Sequence, residues 1–126
     1  MMVLKLILFS LLLHLLDDFV LQAAFLNNGK QKEWWRNQTS NELYKNDYII
    51  CLLAHGLEWA LLTFLPILTL EESSSWFFLL GMIICNAGIH SFVDDMNANK
   101  KKINLVTDQV IHVIQILLTY FIWWAI

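Results

Sequence analysis

The sequence predicts an all-α fold, a four-transmembrane-helix membrane bundle with a polar intramembrane site. Three observations carry that expectation. The 126 residues are 58% hydrophobic, with one proline and four glycines, and the mean hydropathy is +0.55. Four apolar stretches, approximately residues 3–26, 48–70, 76–98 and 103–126, each reach the ~20 residues that a spanning helix needs. Every histidine lies inside one of these stretches, with a carboxylate three or four residues away. Residues 1–126 then make one integral membrane domain, with no room for a second.

The segments can be justified in chain order. Segment 3–26 lacks the basic start and small-residue cleavage site of a secretory leader, and it carries the stripe His14, Asp18 and Gln22. Segment 48–70 carries Cys51, His55 and Glu58; segment 76–98 carries Asn86, His90, Asp94 and Asn97. Segment 103–126 carries Asp108, His112, Gln115 and Thr119. Spacings of three and four place each set on one helix face, so the polar stripes turn inward and the apolar arcs face lipid. Asp17 and Asp95 fall about 100° off their stripes, which predicts interfacial or outlying supporting positions. Cys51 and Cys85 are expected to be reduced and buried.

The loops set the orientation. Lys30, Lys32, Arg36 and Lys45 lie in residues 27–47, and Lys100, Lys101 and Lys102 in the third connection. The connection around Glu71 and Glu72 has no basic residue. The positive-inside rule makes the basic side cytoplasmic and turns both termini outward. Trp34, Trp35, Tyr48, Trp76, Trp123 and Trp124 near segment ends form the expected aromatic belts. At about 1.5 Å per residue, all four His–acid clusters fall in the cytoplasmic half, although two segments run inward and two outward.

Ionisable groups in hydrocarbon cost about 2.5–3.5 kcal/mol each, so they are paired, inward-facing and functional. Imidazole and carboxylate together suit a divalent transition metal, zinc in first place and manganese or iron after it. The ligand candidates are His14, Asp18, His55, His90, Asp94, Asp108 and His112. They exceed the four ligands of a closed structural zinc site, which points to one or two ions. Carboxylates and amides can also orient ligating groups from behind, the role expected of Gln22, Asn86 and Gln109. Glu58, whose depth order relative to its histidine is reversed, and Asp108 are the candidate general bases. Lys30 could bind a substrate phosphate at the mouth of the site, although positive-inside anchoring also accounts for it. A hydrogen-bonded polar core that only fixes helix packing is the competing account.

His14-x3-Asp18-Phe19-x2-Gln22, Lys30, His55, His90-x3-Asp94 and Asp108-Gln109-x2-His112 stand in the order and segments of a known family. In these residues, over nearly its whole length, the chain resembles the domain-of-unknown-function 3307 family of bacterial and phage membrane proteins. The resemblance implies a bacterial inner (cytoplasmic) membrane, or a host membrane if phage-encoded. Related small membrane families are described as metal-dependent hydrolases.

The expected function is therefore a membrane-embedded metal-dependent hydrolase acting from the cytoplasmic side on a lipid-linked, phosphorylated or otherwise amphiphilic substrate. The alternatives are a cation or proton transport protein, or a non-catalytic membrane factor stapled by metal. The expected partner is the lipid bilayer, with self-association open and no nucleic acid. No glycine-rich phosphate loop, HExxH motif, nucleophile elbow or zinc-finger spacing is present.

Overall fold

The computed structural model describes residues 2–70 and 75–126. It is helical throughout its ordered elements, with no strand among the described residues. α1 spans Met2–Leu16 and runs directly into a π-helical turn, Asp17–Leu21. Two short helices follow, α2 (Ala24–Gly29) and α3 (Lys32–Gln38), then a 3-10 turn at Glu42–Tyr44. The long helices α4 (Asp47–Leu70), α5 (Trp76–Ala98) and α6 (Leu105–Ala125) complete the chain.

The long helices begin where local chemistry favours it. Asp47 lies in the first turn of α4, and a carboxylate there complements the positive end of the helix dipole. Asn104 caps α6, its side-chain oxygen accepting from the Thr107 amide at 2.9 Å. α5 ends at Ala98, and the Asn99 and Lys100 amides both fold back onto the Asp95 carbonyl. The tight turn that follows holds Lys101 at φ 52°, the left-handed region.

Packing is inside out relative to a water-soluble bundle. Leu12, Val20, Ile50, Leu53, Ile84, Phe92, Val110 and Phe121 point outward and are exposed, while all four histidines are buried to 1% or less. α1, α4, α5 and α6 form the bundle, α4 packing against both α1 and α5, and α6 against both α5 and α1. Toward one end lies an apolar layer that includes Leu6, Phe64, Ile67, Leu79, Ile116 and Tyr120. Ser10 ties that layer together, its hydroxyl bonding the Thr63 carbonyl and the Tyr120 hydroxyl, each at 2.6 Å. α4 and α5 approach closest at Gly56, where a Cβ would strike Ser91 Oγ and lie 2.6 Å from the Ala87 carbonyl. The Ser91 hydroxyl uses that proximity to donate to the Leu52 carbonyl across the interface at 2.9 Å.

Among the described residues, three helices are long and apolar enough to cross a membrane: Glu42–Thr69, Trp76–Ala98 and Leu105–Ala125. The expected first segment, 3–26, is corrected. Its α-helix stops at Leu16, the π turn ends at Leu21, and the backbone leaves helical geometry at Gln22 and Ala23. The physical cause is the wide turn: the Gln22 amide bonds the Asp17 carbonyl at 2.9 Å, five residues back, and the α-ladder is not resumed. Residues 24–29 restart as a separate short helix. Cys85 is another correction. It is exposed on the outer face of α5, whereas Cys51 is buried, and both are free. The connection around Glu71 and Glu72 lies outside the described residues.

Candidate metal centre

α1, α4, α5 and α6 each deliver one histidine to the bundle interior. His14 comes from the last turn of α1, His55 from α4, His90 from α5 and His112 from α6. Helical spacing then brings in the acids: Asp18 sits one turn after His14, Asp94 one turn after His90, and Asp108 one turn before His112.

Asp94 is the hub. One oxygen lies 3.3 Å from His112 Nε2 and 3.7 Å from His90 Nε2; the other lies 3.6 Å from His55 Nε2 and accepts from Lys30 Nζ at 2.8 Å. Asp18 lies 3.6 Å from both His14 Nδ1 and His55 Nε2, and Asp108 lies 3.6 Å from His112 Nε2. The Gln109 amide donates to Asp18 at 2.8 Å and to Asp108 at 3.3 Å, bridging α6 to the π turn.

The distances discriminate between two kinds of polar cluster. N–H···O hydrogen bonds run about 2.7–3.2 Å, and only the Lys30 and Gln109 contacts to the acids fall in that range. Among the His–carboxylate contacts, His112 Nε2 to Asp94 Oδ1 at 3.3 Å is a long hydrogen bond, and the others run from 3.6 to 4.0 Å. Those of 3.6–3.7 Å are near the edges of a coordination shell, since ligands about 2.0–2.2 Å from one ion sit roughly 3.3–3.6 Å apart in a tetrahedron. His90, Asp94 and His112, and also Asp18, His55 and His90, each bring one ligand atom apiece within 4.8 Å of the others.

Unpartnered atoms point the same way. His90 Nε2, Asp18 Oδ1 and Asp108 Oδ1 are buried with no hydrogen-bond partner. The Nδ1 atoms of His90 and His112 pair at 3.1 Å, so one ring donates and the other accepts. With His90 as donor, its Nε2 is a bare lone pair facing the cluster. Asp18, Asp94 and Asp108 meet there, and among the described residues Lys30 is the one lysine paired with them. These residues fit a divalent cation.

Trp59, missed on sequence, forms the floor. It is 1% exposed, stacks on His90 at a ring-centroid distance of 4.4 Å, and donates its indole N–H to His14 Nδ1 at 2.8 Å. The indole is only a donor, so His14 accepts at Nδ1 and carries its proton on Nε2. Its place four residues after His55 was the available signal, for that spacing puts both on one face.

The sequence-identified residues divide accordingly. His55, His90, His112, Asp18, Asp94 and Asp108 converge, and His14 borders them through Asp18 and Trp59. Glu58 lies on the far side of His55, grouped with Asp17. Asp17, read as off the stripe, is fully buried beside His55 Nδ1 at 4.0 Å, because three residues after His14 it projects only about 60° from that histidine. Asn86 is not at the cluster. It accepts from Gln115 and Thr119, each at 2.9 Å, in a separate polar knot between α5 and α6. Gln22 lines the entrance.

That entrance is a cleft of about 250 Å³ at the basic end of the bundle, bordered by Asp18, Gln22, Lys30, Asp94, Lys101 and Asp108 among others. Fold and site together define a helical bundle with a buried His–Asp cluster open at one end. The chain belongs to the DUF3307 family, described as proteins of unknown function, whose model matches residues 6–126. No curated protein and no solved structure matches it.

Proposed function

We propose that the protein is a membrane-embedded, metal-dependent hydrolase whose cleft opens to the cytoplasm and admits the polar end of a lipid-linked or phosphorylated amphiphile. The observation that carries this reading is the one-sided geometry: ligand atoms spaced as a coordination shell, a cleft on one side and an apolar layer on the other. A transport path would need a polar route through that layer, where Leu6, Phe64 and Ile67 are each buried to 2% or less. The further span, expected at 3–26, is supplied in this reading by Met2–Leu21 with its π turn, which completes the bundle.

Roles follow from position. His90, Asp94 and Asp18 would hold the ion, with His112 bracing Asp94 through its Nε2–H, and with zinc favoured and manganese or iron also suited to the donor set. Such an ion polarises a scissile group and makes its bound water a nucleophile near neutral pH. Asp108 borders the cleft with Oδ1 unpartnered, so of the two candidate bases it is the one placed to take a proton from water there. Lys30 reaches in from the cleft wall, where its ammonium can meet a phosphate or carbonyl oxygen. Trp59 and the apolar layer exclude water from behind.

The test is turnover by detergent-solubilised, Zn²⁺- or Mn²⁺-loaded full chain on short-chain lipid esters and lipid phosphodiesters. Asp108→Asn should retain bound metal yet lower the rate by about 10²–10⁴-fold, the worth of a positioned general base. No turnover of either class by loaded protein would overturn the reading. Ion flux in liposomes would replace it with transport, and metal-dependent stability alone with a scaffold.

Orientation is a separate expectation. Single cysteines placed within 36–45 or 98–102 should label from the cytoplasmic side, and one at Ser75 from the opposite side. Cytoplasmic labelling at Ser75 would move the cleft to the outer leaflet.

A further inference from the structure

We infer that the centre contains a second cation subsite, formed by Asp17, Glu58 and the Nδ1 side of His55, that takes a divalent transition-metal ion. The inference rests on the metal reading above and extends it. Asp17 is 0% exposed, and neither of its carboxylate oxygens has a hydrogen-bond partner. His55 Nδ1, 4.0 Å away, is likewise buried and without one. Stranding a carboxylate in an apolar interior costs several kcal/mol unless a counter-charge meets it. Lys30, the lysine of the cluster, is already paired with Asp94.

The geometry supplies three ligands of the right kind. One oxygen of Asp17, one of Glu58 and a ring nitrogen of His55 lie within 4.8 Å of each other. At that upper limit an ion equidistant from all three sits about 2.8 Å from each, so closure by roughly 0.6–0.8 Å reaches Mn²⁺, Fe²⁺ or Zn²⁺ bond lengths. Two carboxylates and one imidazole suit those ions better than a soft one. Glu58 is half-buried one turn after His55, leaving a side for water to complete the shell.

His55 joins the two subsites. Its Nε2 lies 3.6 Å from both Asp18 and Asp94, whereas its Nδ1 faces Asp17. A neutral imidazole has one lone pair and one N–H. With an ion on Nδ1, the Nε2–H points at the two acids of the first subsite and orients them. His55 then belongs to the second subsite, and the first is held by His90, Asp94 and Asp18. The same assignment makes Glu58 a ligand and leaves Asp108 as the base.

Mn²⁺ alone is the probe, added to the detergent-solubilised full chain, with bound metal counted by elemental analysis and examined by electron paramagnetic resonance. Wild type should bind two equivalents. Asp17→Asn and Glu58→Gln should each bind one, and His112→Ala should lose the other while keeping the Asp17 ion. Each variant is checked for a single size-exclusion peak, and Glu58→Gln, at a half-buried position, serves if Asp17→Asn fails to fold. Two equivalents retained by both Asp17→Asn and Glu58→Gln would overturn the inference. So would a single equivalent in wild type; if His112→Ala then loses that ion, the first site stands alone. Wild type that binds none would remove both readings.

Discussion

Asp94→Asn should empty the first metal subsite. The substitution keeps the volume but removes the charge at the one residue facing His55, His90, His112 and Lys30 together. Losing even an outlying partner of a ligand lowers metal affinity about 10–100-fold, so losing a shared ligand should exceed the upper end of that range. The same change strips Lys30 of its counter-charge. Breaking a buried pair costs about 3–5 kcal/mol, but the Lys30 side chain is 16% exposed at the cleft and can swing outward, which places the expected loss below that range. Metal content after purification and a melting curve in detergent read the two effects separately. Wild-type metal content in Asp94→Asn would sink the centre as described.

Gly56→Leu should be the most disruptive change outside the polar residues. A Cβ there would collide with Ser91 Oγ and with the Ala87 carbonyl, and a carbonyl fixed in a helix cannot yield. α4 and α5 must separate, which breaks the Ser91-to-Leu52 bond and moves His55 and His90, the residues immediately preceding the two contact positions. Overpacking typically costs about 1–3 kcal/mol, and a backbone clash belongs at the top of that span or beyond. Gly88→Ala is the matched control. Nothing lies within 4 Å of a Cβ at Gly88, and alanine is the better helix former by about 1 kcal/mol. Gly88→Ala should therefore raise the melting temperature while Gly56→Leu lowers it and weakens metal retention. Equal stability of the two variants would mean that the α4–α5 contact is not a constraint.

Much of this architecture was legible in the chain because the segments obey one period. The stripes of α5 and α6 place His90, Asp94, Asp108 and His112 together by spacing alone, and the bounds of α5 match the expected 76–98. Where the stripe drifts, the reading fails. Projected from Asp18, Asp17 lies about 100° away, but from His14 only about 60°, and it is buried. The apolar run Phe19–Val20–Leu21 holds no glycine or proline to mark the end of the helix. Lys30 was placed at the mouth, but its bond to Asp94, 64 positions away, depends on how α2 folds over the bundle end. The separation of Asn86 from the cluster was equally hidden, since its stripe is shared with His90 and only depth distinguishes them.

The π turn also makes chain length itself a variable of the site. A residue removed from Phe19–Val20 would let the ordinary α-ladder continue, without altering a single ligand. Everything after it would then turn by about 100° relative to His14 and shift along the axis by about 1.5 Å. Relatives that carry the same residues but differ by one position in this stretch would present a different entrance. When sequences of this kind are aligned, a gap placed at residues 19–20 therefore moves Gln22 and Lys30 at the mouth of the site as surely as a substitution.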